Sequence, residues 1–200
     1  MNRNDLLIIA KPIQFNDDLV IAIKTGQKTT FRKLIKTPPP NDLVDQAFIQ
    51  SECPYAVGDI LYLRETFLRK PDIIGGGYMY RNDTVAADIY KWEPSVHMPK
   101  DATRTFLKIT DIKTQRLHDM SDKDALAEGV HMIQDGIDIG RYSYEQSPKS
   151  GCCWATAVGC FEHSIWWPSL KLSERNQYSW TKNPLVWVLQ FEIVICSNSN

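Results

Sequence analysis

The sequence predicts an α+β fold: a small mixed β-barrel with short flanking helices and one inserted region. Three observations lead there. Short apolar stretches rich in β-branched and aromatic residues recur along the whole chain, and brief capped helical segments separate them. The chain closes on "PLVWVLQFEIVI" (184–195), apolar on both faces and suited to the inside of a sheet or barrel. At 200 residues, with 43% hydrophobic and 24% charged side chains, the chain is long enough for one good core. It is therefore read as a single domain, residues 1–200, with an insertion at about 133–179.

Each element has a local reason. Residues 6–10, "LLIIA", read as a buried strand that Pro12 closes. Asn16 or Asp17 caps a helix running through Thr25, because a short side-chain acceptor satisfies the free amides of the first turn. Leu19, Val20, Ala22 and Ile23 give that helix an apolar face, and Gly26 suits its left-handed exit. "KTTFRKLI" (28–35) is extended, and "TPPPND" (37–42) is a stiff linker.

"CPYAVGDILYLRETF" (53–67) holds a turn at Gly58-Asp59 and then a strand over 60–65. "GGGYMYRND" (75–83) is a turn followed by a short strand ending at Asn82-Asp83. "TRTFLKITDIKTQRL" (103–117) is the longest extended stretch. Phe106, Lys108, Thr110 and Ile112 fall on one face, and Leu107, Ile109 and Asp111 on the other. Ser121 and Asp124 form a capping box for a helix that Gly129 ends. Residues 130–183 lack a clean period, with loops around Gly136, Gly140, Pro148 and Gly151 and a short helix near 161–167.

The formal net charge of −1 excludes coating of nucleic acid through bulk charge, but a local basic groove is compatible with it. "LLIIA" is too short for a signal-peptide core, and no later segment approaches the length of a membrane span. A soluble intracellular protein without a membrane partner is expected. Five cysteines are not spaced as a secreted disulfide framework. Cys53 and Cys196 read as small core residues, and Cys152, Cys153, Cys160 and His163 match a zinc site only loosely, since no C-x-x-C pair is present. His118 and His131 read as ordinary polar positions. No metal and no cofactor is expected.

One cationic island stands out. "KTGQKTTFRKLIK" (24–36) carries Lys24, Lys28, Arg32, Lys33 and Lys36, with no acidic residue between Asp18 and Asp42. Lys28 follows the helix-ending Gly26 and opens the next strand, so it can point into a cleft between the two. On a regular strand Lys28, Thr30 and Arg32 share one face, which suits a phosphate or a base. The competing reading is helix-end electrostatics, which fits Lys24 best.

Other candidates carry two readings each. Glu128, in the last turn of its helix, faces the negative end of the dipole; it is a poised base or partner for Lys28, or an exposed carboxylate. Glu65 reaches the same cleft or forms a salt bridge with Arg64, Arg81 or another neighbour on the barrel rim. Tyr55, Trp92 and His97 stack a base or pack half-buried. Trp154, Trp166 and Trp167 cover the cleft, form a partner surface, or pack the insertion onto the barrel.

Several stretches taken together resemble the ASCH family of PUA-like barrels, in its phage and prophage form. They are "TGQKTTFRKLIK", "CPYAVGDILYLRETF", "YRND", "KWEPSVHMPKDATRTFLKITDIKTQRLHDMSDKDALAEGV" and "WTKNPLVWVLQFEIV", in that order. The likeness covers most of residues 6–132 and 180–195 and leaves out 133–179. It implies a compact barrel with a cleft, a ligand that is RNA or a nucleotide or nucleoside, and a place in the cytoplasm of a bacterial host cell.

The resemblance also tips Lys28 and Arg32 toward a site. Some ASCH proteins resemble ribonucleases, and one small bacterial group removes acyl groups from the exocyclic amine of cytidine. In that group a lysine works with a threonine three positions later and a glutamate near the end of the capped helix. Lys28 and Glu128 match; the threonine's place is held by Phe31, which has no nucleophile, while Thr29 and Thr30 stand beside it. Three functions are thus set against one another. The first is a nucleic-acid or modified-nucleotide binding module that uses Lys28, Arg32, Glu65, Tyr55, Trp92 and His97. The second is a metal-independent hydrolase using Lys28, Glu128 and Thr30, either an N4-acylcytidine amidohydrolase or a ribonuclease. The third is a module that engages a host protein through the tryptophan-rich insertion. The oligomeric state stays open.

Overall fold

The computed structural model describes residues 2–39, 44–71, 75–84, 89–134, 140–145 and 154–195. Its architecture is a mixed five-stranded sheet with few helices. The strands are β1 (Lys11–Gln14), β2 (Thr30–Leu34), β3 (Ile60–Arg64), β6 (Phe106–Arg116) and β9 (Leu185–Val194), in the order β1-β3-β6-β9-β2. The β1–β3 pair is parallel and the other pairs are antiparallel. Two-stranded ribbons join β4 (Phe67–Arg69) to β5 (Tyr78–Tyr80) and β7 (His131–Met132) to β8 (Tyr142–Ser143).

A closed barrel was expected, and among the described residues the sheet stays open, with β1 and β2 as its edges. The sheet curls far enough for Phe15, just after β1, to meet Phe31 of β2 edge-on at 5.9 Å between ring centroids. Side chains fill the gap where a closing ladder would run: Val20 and Ile23 of α2 (Asp17–Lys24) join Ile13 and Phe31 in the main core. That core also takes Leu61 and Leu63 of β3, Leu107 and Ile109 of β6, and Leu185, Trp187, Leu189 and Phe191 of β9. The opposite face of β9 supplies Val186 and Val188 to a second core built from residues 117–170. β9 is thus buried on both faces, as its sequence requires. Each large side chain so buried contributes on the order of 1.5–3 kcal/mol.

Residues 6–10 do not form the expected strand; α1 spans Arg3–Ile9. Asn2 Oδ1 accepts from the Asp5 amide at 2.9 Å, and the Asp5 carboxylate accepts from the Asn2 amide. This capping box fixes a helical start that outweighs the β preference of the isoleucines. Only Leu6 of the run is fully buried, while Ile8 is 80% exposed. Pro12 accordingly lies inside β1, where an edge strand tolerates it.

The face assignment of the longest strand changes partway along. Opposite β9, Ile109 pairs with Phe191 and Asp111 with Gln190, so Thr110 is an extra residue in a β-bulge. Parity flips there, and Ile112 packs on the same core as Ile109 instead of opposite it. A helix that the sequence reading did not anticipate, α3 (Gln46–Glu52), is capped by Asp45 and lays Phe48 on Trp187 at 5.7 Å. The linker prediction for 37–42 falls partly, and the loops at Gly136, Pro148 and Gly151 wholly, outside the described residues.

Candidate functional site

The site forms where two helix ends meet. Asn16 caps α2, its Oδ1 accepting from the Leu19 amide at 2.9 Å, and Gly26 (φ 79°) turns the chain out of it. The Lys28 amide then donates to Ala22 O at 2.9 Å. On the other side, Ser121 and Asp124 box the start of α4 (Asp122–Ala127), and Glu128 is its C-cap. The Thr29 amide donates to Ala127 O at 2.9 Å, and Thr29 O accepts from the Phe191 amide at 2.9 Å. Lys28 and Glu128 thereby form an isolated antiparallel bridge.

The side chains complete the junction. Lys28 and Glu128 are each 1% exposed. Lys28 Nζ donates to Glu128 Oε2 at 2.7 Å and to Glu128 O at 2.8 Å. Arg32 Nη1 donates to Glu128 Oε1 at 2.9 Å, so one carboxylate is shared between two cations. Arg32 Nη2 donates to Gln115 Oε1 at 2.9 Å and lies 3.7 Å from Asp124 Oδ1. Gln115 is itself held by donating to Asp119 O at 2.8 Å. The Arg32 Nε–H is buried without a hydrogen-bond partner among the described residues.

The electrostatics follow from burial. Desolvation pushes the Lys28 ammonium below lysine's ordinary value; the Glu128 carboxylate pulls it partly back, and Arg32 pushes it down further. Burial works against the charge on Asp124, but hydrogen bonds from Ser121 and the Arg32 guanidinium overcome it and hold that carboxyl below its usual range.

A cavity of about 600 Å³ opens onto this junction. Lys28, Arg32 and Glu128 stand in its polar lining with Gln14, Asn16, Ser95 and Ser169, and Phe15, Phe31, Phe161 and Trp166 form its aromatic one. Two of those rings come from a single helical stretch, residues 157–169. It begins as α5 (Ala157–Cys160), widens to a π-helix over Phe161–Trp166 and ends as α6 (Trp167–Ser169). The wider turn brings Phe161, Ile165 and Trp166 onto one face, and all three line the cavity. The volume lies within the range of small-molecule sites.

Of the predicted site residues, Lys28, Arg32 and Glu128 come together. Thr30 opens β2, the strand of Arg32, yet it does not line the cavity, and its buried hydroxyl has no partner among the described residues. Glu65 is also absent from the cavity. Fully buried, it receives Arg104 through Nε at 2.8 Å and Nη2 at 2.6 Å, with Lys24 Nζ 3.7 Å away. Asp83 closes this second network, bonded to Arg104 and to Lys24 (3.1 Å), and Arg104 stacks on Tyr80 at 3.7 Å. Of the two readings of Glu65 the structure holds the salt bridge, with Arg104 as partner and the carboxylate buried instead of on a rim.

The expected aromatic set is dispersed. Tyr55 packs edge-on against Phe31 in the main core and carries Lys33 over its ring. Trp92 meets Tyr90 edge-on, and His97 ends an exposed 3₁₀ turn (Ser95–His97). Among the metal candidates, Cys160 is buried in the second core and His163 stacks flat on Trp154 at 4.3 Å. Cys152, Cys153 and Cys196 lie outside the described residues. Among the described residues no group of three His, Cys, Asp or Glu stands close enough to hold an ion, and no helix is long and apolar enough to cross a membrane.

The sequence reading missed Phe15, Phe161 and Gln115 as site residues. Phe15 had a signal, lying beside the Asn16 cap that orients α2. Gln115 had none, because the bulge at Thr110 resets which face it occupies. The chain matches no family model, no curated protein and no solved structure.

Proposed function

We propose that the protein binds nucleic acid or a modified nucleotide as a phage- or prophage-type ASCH, PUA-like protein of the bacterial cytoplasm, with one base held in the large cavity. The observation that carries this is the buried Lys28–Glu128–Arg32 junction on the wall of an aromatic-lined space of about 600 Å³. Aromatic walls suit a flat heterocycle, because every base offers a π face. The polar edge offers the Glu128 carboxylate as acceptor and two cations as donors, which matches the mixed donor and acceptor rim of a base. Both cations already share Glu128, so little positive charge is left over; this favours a base over a phosphate in the cavity. The curl that brings Phe15 to Phe31 supports the PUA-like reading of the fold.

Calorimetric titration with nucleosides, nucleotides and N4-acetylcytidine tests the reading. Saturable binding that Glu128→Gln weakens at least tenfold is expected. Equal heats for wild type and Glu128→Gln, or no binding of any base, would remove it.

A second reading rests on the depressed Lys28 ammonium. Burial disfavours the charged ammonium, and an amine 2.7 Å from a carboxylate is placed to take the proton of a water that attacks the acyl carbonyl carbon and to pass it to the departing exocyclic nitrogen. Release of acetate from N4-acetylcytidine, lost in Lys28→Met, supports it. An intact substrate at micromolar protein leaves binding alone.

A further inference from the structure

A second cavity, of about 240 Å³, lies against the same helical stretch. Three indoles line it, Trp166, Trp167 and Trp180, together with Glu162, His163, Ser179 and Thr181. Trp166 lines both this cavity and the large one. The volume falls below the ~300–1,000 Å³ of sites that hold a whole drug-sized ligand, so there is room for a ring system and little more. The polar groups at its edge suit a heterocycle: Glu162 accepts, while the Ser179 and Thr181 hydroxyls, 3.0 Å apart, can donate or accept.

The Glu162 carboxylate in the wall serves the edge of the ring, and a second charge, outside the lining, bears on the class of ligand. The Arg175 guanidinium sits 5.2 Å from the Trp167 ring centroid, has no ion pair or hydrogen bond among the described residues, and buries an unpartnered Nε–H. A guanidinium already placed over that indole disfavours a cationic guest and favours a neutral ring joined to an anion.

From these observations we infer that the small cavity is a second subsite of one ligand path, taking the neighbouring base of a single-stranded polynucleotide whose first base occupies the large cavity. Trp166 is the shared wall between the two bases, and Arg175 faces the backbone phosphate. The inference rests on the base-binding reading above and narrows its ligand from a free nucleoside to a strand.

The test is calorimetric titration with each nucleoside 3′-monophosphate and with the dinucleotides built on it, in ribose and deoxyribose forms. One stacked base is worth roughly 1–3 kcal/mol, so dinucleotides should bind at least about fivefold tighter. Trp180→Ala should abolish that gain and leave mononucleotide affinity unchanged. Arg175→Ala, on a half-buried side chain without polar partners, is the second variant should the tryptophan change disturb folding; it should weaken dinucleotides selectively and flatten their salt dependence. Mononucleotide binding with no gain for the dinucleotide, or a gain that survives both variants, overturns the second subsite and leaves the base-binding reading standing. Failure of both lengths to bind removes that reading and this inference with it.

Discussion

Lys28 Nζ lies 2.7 Å from Glu128 Oε2 and 2.8 Å from the carbonyl oxygen of the same residue, across 100 positions of chain. One residue thus meets the ammonium twice, with its backbone and with its side chain. The double contact locks the end of α4 to the start of β2 and fixes where the shared carboxylate points.

Removing the carboxylate should hurt more than removing the lysine. Glu128→Gln leaves two buried cations facing each other, and breaking a buried pair from one side costs about 3–5 kcal/mol. Lys28→Met leaves Glu128 still paired to Arg32 at 2.9 Å, so its loss should be smaller. Urea denaturation of both variants at neutral pH measures the order. A reversed order would mean that Lys28, not Glu128, anchors the junction.

The pH dependence of stability carries the Lys28 signature. Burial lowers its pKa in the folded chain below the 10.5 of an exposed lysine, so between those two values the unfolded chain binds more protons. Stability from this group therefore rises as pH increases from the folded value toward 10.5, and is flat below the folded value. Lys28→Met should remove that rise. Parallel denaturation series across the alkaline range would show it as a wild-type curve gaining on the variant.

The Glu65–Arg104–Asp83 network makes the opposite acid prediction. Hydrogen bonding to Arg104 holds the Asp83 carboxyl below its ordinary 3.8, so its contribution is present above that pH and fades as pH falls through the folded value. Nearly half of the Asp83 side chain is exposed, and solvent screening limits the effect to about 0.5 kcal/mol. Asp83→Asn should cost that much at neutral pH and nothing in strong acid. Glu65→Gln, which removes the buried carboxylate from a part-buried Arg104, should cost several-fold more at neutral pH.

Several elements of the fold were legible because their signals are local. The Ser121–Asp124 box, the Asn16 cap and the two-faced apolar run of β9 each specify their element within a few residues. The N-terminal helix was not, because "LLII" favours a strand and only the reciprocal contact of Asn2 and Asp5 reverses it. The bulge at Thr110 leaves no mark in an alternating pattern, yet it sets the facing of everything after it, Gln115 included. Likewise Lys28, Arg32 and Glu128 were legible as single residues, and Trp166 as one candidate cover for the cleft, while the walls made by Phe15 and Phe161 were not. Phe161 and Trp166 reach the cavity only through the π-turn of a stretch with no clean period.

The junction's geometry should be most sensitive at Gly129. Its φ of +100° disfavours any residue with a Cβ, and that atom would lie 3.1 Å from Leu19 Cδ2, 3.3 Å from Ala22 Cβ and 3.4 Å from Lys28 Cβ. Leu19 can swing aside, but Ala22 Cβ is fixed to the backbone of α2, so the end of α4 must move away by a few tenths of an ångström. Gly129→Ala therefore adds a packing penalty to the backbone one, about 2–3 kcal/mol in all. Gly26→Ala is the control: its φ of +79° is similarly strained, yet an added Cβ meets nothing within 4 Å, so only about 1–2 kcal/mol is lost. Denaturation midpoints and nucleoside titrations on both variants separate the two contributions. Gly129→Ala should lose base affinity as well as stability, because it shifts Glu128 relative to Lys28, whereas Gly26→Ala, once folded, should bind more nearly as wild type does. Equal affinity losses in the two variants would show that the approach of α4 to α2 does not set the site.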